Sequence, residues 1–307
     1  MLAAVLAAAP ETLARDAAAA ARAGAGALVV ALAPSGGPAR LPFELSDFGA
    51  GAAAPAAVSA ATLAALAAET RAIGAGLVPS VSALAALDAV TAGPCAALYV
   101  DAAGLLDLAL VAAAAGGVAP LWLDTAMATL DEVGDAVATA VKAGARPTLL
   151  HGVVTTPPRA DEMNLRALGT LAARFGLPVG LALRAPSAPL ATAAVALGAS
   201  VVAVPFGAGG FDADGLAALA AELALVERAL GDGAKRVQPS EWAERDRRHP
   251  SLVARVDIAR GQALTADAVD VAPPGIGLKP RAVAGIVGRR ATIDIPAGTL
   301  ITLGMLE

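Results

Sequence analysis

Four side chains that can move protons or bind anions stand at the ends of apolar runs. Asp101 and Asp124 each follow a run that predicts a buried strand, and His151 and Arg184 close two further runs of this kind. In a parallel α/β barrel, the carboxyl ends of the strands and the loops after them carry the chemistry. His151 is expected either as a general base or, the favoured role, as a hydrogen-bonded structural residue. Arg184 is expected either to bind an anion or to form a salt bridge with Asp101 or Asp124.

The strands that would position these side chains alternate with helices along the chain. About eight strand-like runs lie between Leu2 and Phe206, at intervals of roughly 25–35 residues, and glycines close several of the intervening helices. This repeat predicts a (β/α)8 TIM barrel, which needs ~250 residues and leaves room for a small second domain. A doubly wound open sheet is the alternative, but no Gly-x-Gly-x-x-Gly motif opens a helix after the first strand. The Gly- and Pro-rich stretch 34–55 predicts a solvated βα loop, with a substrate lid as the alternative.

The character of the chain changes after the predicted barrel, which we assign to residues 1–235. Residues 236–250 are crowded with charged side chains and predict a solvated linker. Residues 251–307 contain short apolar runs separated by turn signals such as Pro273-Pro274-Gly275, a pattern typical of a small β-rich domain.

The spacing of several short motifs carries a resemblance to a known family. His151 is followed by Asn164-Leu165, then by Val179-Gly180, and then by Ala-Leu-Gly-Ala at 196–199. This order resembles the N-acetylneuraminate (sialic acid) synthases, in which a barrel precedes a small antifreeze-like (SAF) domain. Residues 251–307 look like that SAF domain. In the family, an arginine at the position of Pro273 reaches into the partner subunit's sugar pocket.

The resemblance implies a reaction whose groups are replaced here. The synthases join phosphoenolpyruvate to an open-chain N-acetylmannosamine-type sugar, and a divalent metal such as Mn²⁺ or Mg²⁺ polarises the sugar aldehyde. The two histidines that would hold this metal correspond to Arg184 and Pro205, and two lysines correspond to Val29 and, roughly, Tyr99. Asp124 stands in place of a phosphate-binding serine. We therefore expect that the metal site is lost and that no cofactor is bound.

Two functions from different classes are consistent with these residues. The first is a divergent synthase-like protein of sialic (nonulosonic) acid biosynthesis that no longer condenses its substrates and serves as a binding or partner subunit. The second is a re-tooled, metal-free barrel enzyme that acts on an anionic, sugar-type substrate. The candidate catalytic residue is His151, and the candidate ligand-binding residues are Asp101, Asp124, Asn164 and Arg184. By resemblance Asn164 lies near the phosphoenolpyruvate pocket, although capping or bracing the loop is the alternative role.

Composition excludes several other classes of protein. A net charge of −5 argues against nucleic acid or an anionic membrane as the main partner. Alanine inflates the hydrophobic share of 57%, and the apolar run Leu108–Leu123 is interrupted by Gly116-Gly117 and Pro120, so it predicts helix, turn and strand rather than a membrane span. A single cysteine, Cys95, excludes an internal disulfide.

The same composition bears on location and assembly. Residues 1–10 are apolar but lack a basic flank, so we expect no secretory signal and a cytoplasmic location. Because alanine buries little area per residue, we expect stability to come partly from a subunit interface. The expected assembly is a homodimer formed through the SAF domain, or a heteromer with an active paralogue.

Overall fold

Apolar runs rich in Val, Leu and Ala form the strands of a barrel, because such runs can be buried on both faces of a parallel sheet. The computed structural model describes residues 1–6, 10–31, 60–90, 95–117 and 119–307. Eight parallel strands pair in chain order, and the eighth pairs with the first to close the barrel. The strands are β1 Leu2–Leu6, β2 Ala27–Ala31, β3 Gly76–Val81, β4 Leu98–Val100, β5 Leu121–Asp124, β6 Thr148–Gly152, β7 Val179–Ala182 and β8 Val201–Phe206.

Each strand is followed by a helix before the next strand begins, which confirms the predicted (β/α)8 fold. The predicted loop 34–55 lies outside the described residues. The helices of this unit are α1 Pro10–Arg22, α2 Ala60–Ala72, α3 Leu87–Val90, α4 Leu108–Ala115, α5 Leu130–Lys142, α6 Ala167–Phe175, α7 Ala188–Ala196 and α8 Ala213–Leu230.

The barrel has two apolar clusters, one inside it and one between its strands and the surrounding helices. An outer cluster joins the outward faces of the strands to the helices, with Leu149 and Met163 among its buried members. Most side chains of the inner cluster are alanine or valine, and Tyr99 and Trp122 are its two aromatic members. Side chains alternate between the two faces of a strand, so the inner cluster identifies the inward positions. Its buried members are Ala3, Ala27, Val29, Val78, Ala97, Tyr99, Trp122, Leu150, Ala182, Val201 and Ala203.

Side-chain caps lie at the N-termini of α4, the helix before β5, and of α5, the helix after it. Thr129 and Glu132 form the predicted capping box of α5: the Thr129 amide donates to Glu132 Oε2 over 2.7 Å, and Thr129 Oγ1 accepts from the Glu132 amide over 3.4 Å. Asp107 caps α4 by accepting from two backbone amides. The run Leu108–Leu123 contains all of α4 and most of β5, so it forms a helix and a strand as predicted. None of the described helices is long and apolar enough to cross a membrane.

The second compact unit spans Asp232–Glu307. It contains the helices α9 Trp242–Arg248 and α10 Val283–Ile286 and the antiparallel strands β9 Ser251–Ala254 and β10 Val269–Ala272. Further isolated antiparallel bridges extend the β structure, and a separate apolar cluster forms its core. Helix α9 lies within the predicted linker 236–250, and its Trp242 is 53% exposed. The amide of Gly275 donates to the Asp246 carbonyl over 2.6 Å, so this helix is tied to the small domain.

Candidate functional site

Three of the predicted site residues share an inward position at the carboxyl end of the barrel. Trp122 belongs to the inner cluster, and Asp124, two residues further along β5, lies on the same face of that strand. Ala182 has the same relation to Arg184 just beyond β7. Asp101 follows β4 in the same alternation. The fold therefore directs two carboxyl groups and one guanidinium towards the same end of the barrel.

Asp124 accepts hydrogen bonds from three different parts of the barrel. Its Oδ2 accepts from the hydroxyl of Tyr99 on β4 and from Nη2 of Arg184 after β7. Its Oδ1 accepts from the amide of Ala126, in the turn after β5, over 3.0 Å. Asp124 is fully buried and Arg184 is 2% exposed, so this is a buried, charge-assisted ion pair. Of the two roles expected for Arg184, anion binding or a salt bridge, the structure shows a salt bridge, and its partner is Asp124.

Asp101 is a second buried carboxyl group beside this ion pair. It is 2% exposed, and its Oδ1 accepts from the amide of Gly104 over 2.9 Å. Burial raises the pKa of Asp101 from 3.8 to about 7, against the opposing effect of the Gly104 hydrogen bond. The negative charge of Asp124 raises this pKa further, and the positive charge of Arg184 lowers it. Close to neutral pH, Asp101 can therefore exchange a proton.

Tyr99 completes the group, although sequence reasoning did not predict it as a site residue. The chain contains a single tyrosine, and its hydroxyl reaches Asp124 from the inner face of β4. The signal that could have identified it is its spacing, since Tyr99 lies in β4 two residues before Asp101, which follows that strand. We call Tyr99, Asp101, Asp124 and Arg184 the acidic–arginine cluster.

His151 is held on the other side of its strand. Leu150 belongs to the inner cluster and Leu149 to the outer one, so alternation along β6 places His151 with Leu149 on the outward face. The partly buried imidazole donates from Nε2 to the carbonyl of Met163, over 2.8 Å. This bond braces the loop between β6 and α6, which corresponds to the structural role favoured from the sequence.

Asn164 lies in the same loop, at the entrance to α6. Asn164 is exposed and has a φ of 38°, a left-handed conformation in which asparagine is enriched. Its carbonyl accepts from the amide of Ala167 over 2.8 Å, at the first residue of the helix. The structure thus joins Asp101, Asp124 and Arg184 in one cluster. It places Asn164 in the loop between β6 and α6, and His151 of β6 contacts that loop.

The chemistry of the cluster is that of an anion held by fixed donors, with a proton-exchanging carboxyl group beside it. Nη2 of Arg184, the hydroxyl of Tyr99 and the amide of Ala126 all act as donors towards one carboxylate. Within the described ranges, no three His, Cys, Asp or Glu side chains are grouped so that they could hold a metal ion.

Two family models match the chain. The NeuB family matches residues 52–207 and the SAF domain matches residues 249–307. Among curated proteins, the chain is 28% identical over 203 residues to the N,N'-diacetyllegionaminic acid synthase of Legionella pneumophila, covering 61% of this chain and 57% of that protein. It is 27% identical over 214 residues to the pseudaminic acid synthase of Helicobacter pylori, covering 66% of this chain and 63% of that protein. The chain thus spans less than two thirds of the length of these relatives.

Solved structures share the architecture. A putative spore coat polysaccharide biosynthesis protein E from Chromobacterium violaceum superimposes with a TM-score of 0.77 and 20% identity, covering 100% of this chain and 99% of that one. The N-acetylneuraminic acid synthetase of Leptospira borgpetersenii superimposes with a TM-score of 0.69 and 20% identity, covering 79% of this chain and 89% of that one. These likenesses concern the fold. The family match over half of the sequence shows that this chain belongs to the NeuB family, and residues 249–307 match the SAF domain.

Proposed function

We propose that this NeuB-family protein serves the biosynthesis of a sialic-type (nonulosonic) acid as a binding or partner subunit, and that it does not run the metal-dependent condensation of phosphoenolpyruvate with an N-acetylmannosamine-type sugar. The pathway is supported by the relatives, which are named as synthases of legionaminic and pseudaminic acid. The loss of condensation is supported by one observation, the buried ion pair between Arg184 and Asp124.

This ion pair is incompatible with a divalent metal at the same place. A guanidinium has N–H donors only and offers no lone pair to a metal, and its fixed positive charge repels a cation. Pro205, at the second position where the resemblance implies a ligand, carries no donor atom in its side chain. The remaining carboxylate of Asp124 is already occupied by three donors. The residues present do not fit Mn²⁺ or Mg²⁺, and we derive no reaction step through either ion.

A turnover assay tests this proposal directly. The full chain would be incubated with Mn²⁺, phosphoenolpyruvate and N-acetylmannosamine, and the release of inorganic phosphate would be measured beside an active synthase of the family. We expect release from the active synthase alone. Calorimetric titration of the same compounds into the wild type and Arg184→Ala would follow. Mn²⁺-dependent phosphate release, or Mn²⁺-dependent binding of both substrates, would overturn the proposal.

A partner role also requires an assembly, for which we propose a homodimer through the SAF domain or a heteromer with an active paralogue in the cytoplasm. We propose neither nucleic acid nor a membrane as a partner, because the net charge is −5. Light scattering coupled to gel filtration would measure the mass of the purified chain. A mass near twice the 29.7 kDa of one chain would support the homodimer, and the mass of a single chain would contradict it.

The second candidate, a metal-free enzyme acting on an anionic sugar-type substrate, is favoured by one specific feature. Asp101 has a pKa of about 7 and lies beside the ion pair, and a general acid or base works best when its pKa is near the operating pH. Any turnover of such a substrate should fall by at least ~100-fold in Asp101→Asn, because the amide cannot transfer the proton. Turnover that survives this substitution would exclude Asp101 as the acid or base.

A further inference from the structure

The acidic–arginine cluster has the construction of an anion-binding site. A guanidinium and a phenol hydroxyl donate to one oxygen of a carboxylate and a backbone amide donates to the other, and each donor comes from a different segment of the barrel. Charge-assisted donors of this kind bind carboxylate and phosphate oxygens strongly when water is excluded. Here water is excluded, since Arg184 and Tyr99 are 2% and 4% exposed.

The anion in this site belongs to the chain itself. The carboxylate of Asp124 receives all three donors, while the backbone of Asp124 is fixed independently by its pairing with Leu150 of β6. Tyr99 is fixed by its pairing with Trp122, and Arg184 follows Leu183, whose amide donates to the Ala203 carbonyl of β8 over 2.9 Å. Because these backbone positions do not depend on the carboxylate, the donors should keep their places when the carboxylate is removed.

We propose that the carboxyl end of the barrel retains an anion-binding site which is filled by the chain's own Asp124, and that a small monocarboxylate enters it when this side chain is shortened. The inference deepens the proposed function, on which it rests for the premise that the metal-dependent condensation does not take place at this end of the barrel. Formate is the matching probe, since Asp124→Ala removes one carboxylate group and formate supplies one of the same size and charge.

Asp101 adds a competitor whose effect can be tested. When Asp124 is absent, Asp101 is a buried carboxyl group that can still neutralise Arg184, because the charge of Arg184 acts on it. Replacing Asp101 by asparagine removes that alternative anion while keeping its size. Formate should therefore bind more tightly to Asp101→Asn/Asp124→Ala than to Asp124→Ala.

The experiment compares variants of the full chain during thermal unfolding in sodium formate and in sodium sulfate of equal ionic strength. In Asp124→Ala, formate should raise the melting temperature saturably, by roughly 3–6 °C at about ten times its dissociation constant. The wild type, Asp124→Asn and Asp124→Ala/Arg184→Met should not respond specifically, because the site is filled in the first two and has lost its cation in the third.

Each possible result either supports the anion-binding site or rules it out. A rise limited to Asp124→Ala and its Asp101→Asn derivative supports the site. An equal rise in all variants is an ionic-strength effect and overturns it, as does the absence of any rise in Asp124→Ala. If Asp124→Ala is recovered only unfolded, refolding with formate replaces melting: a formate-dependent yield supports the site, and equal yields with sulfate overturn it. Synthase activity in the wild type would instead contradict the proposed function. The comparison of melting temperatures in formate would still test the anion-binding site.

Discussion

Replacing Asp101 by asparagine should change how the stability of the barrel depends on pH. The folded protein raises the pKa of this carboxyl group from 3.8 to about 7, mainly because the group is buried. Between these two values the folded chain holds a proton that the unfolded chain has released. The contribution of Asp101 to stability is therefore fully present below about pH 4 and is lost as the pH rises towards 7.

The magnitude follows from the separation of the two values. Each pH unit in this window changes the free energy of unfolding by about 1.4 kcal/mol, so the wild type should lose roughly 4 kcal/mol relative to Asp101→Asn between pH 3.8 and about 7. Asparagine does not ionise, so the stability of Asp101→Asn lacks this pH dependence. Its side-chain carbonyl oxygen can still accept the hydrogen bond from the Gly104 amide.

Urea denaturation followed by far-UV circular dichroism, at pH values from about 4 to about 8, would provide the two stability curves. Their difference removes the contributions of other titrating groups. Thr125→Val is the matched control, since it removes the buried hydroxyl that donates to the Leu150 carbonyl over 3.1 Å and leaves every ionisable group in place. Its difference from the wild type should be the same at every pH. If the difference in the free energy of unfolding between wild type and Asp101→Asn did not change with pH, the reasoning would be refuted.

Four further predictions concern the scaffold, and all are checked by chemical denaturation. His151→Ala should lower the free energy of unfolding by about 1 kcal/mol through loss of its hydrogen bond to the loop carbonyl, without changing anion binding to Asp124→Ala; altered binding would contradict its outward position. Thr129→Ala should lower stability by about 1 kcal/mol because the helix cap is lost, and an unchanged value would argue against the capping box. Gly169→Ala should raise stability by ~0.5–1 kcal/mol because its Cβ would meet open space within a helix. Gly152→Ala should lower stability, because its Cβ would lie 2.5 Å from the Ala182 carbonyl oxygen, and the opposite signs would refute the packing argument.

The sequence predicts the barrel well because its strands and helices are short, regular and separated by glycines. It also predicts three members of the cluster, since Asp101, Asp124 and Arg184 each end an apolar run and such ends converge in a barrel. It does not predict which way His151 points. Strands buried on both faces are apolar throughout, so adjacent Leu149 and Leu150 give no period from which the inward side could be deduced.

Two other features depend on distances that a sequence does not contain. The contact of Tyr99 with Asp124 joins residues on neighbouring strands, and it depends on the register of β4 against β5. The charges in residues 236–250 indicate solvation but not conformation. In the structure, Glu244 pairs with Arg247 and Arg248 at helical spacings, which supports α9 within this segment.

The inner cluster of the barrel contains a tryptophan whose fluorescence can report on the folding of the barrel. The chain has two tryptophans: Trp122 is 3% exposed within the barrel, and Trp242 is 53% exposed in the second unit. A tryptophan shielded from water emits at shorter wavelengths than an exposed one, so the two compact units carry fluorophores with distinguishable spectra. A Trp242→Phe variant would report on the barrel alone and a Trp122→Phe variant on the small domain alone. Comparing their unfolding transitions would reveal whether the two units unfold together or in sequence.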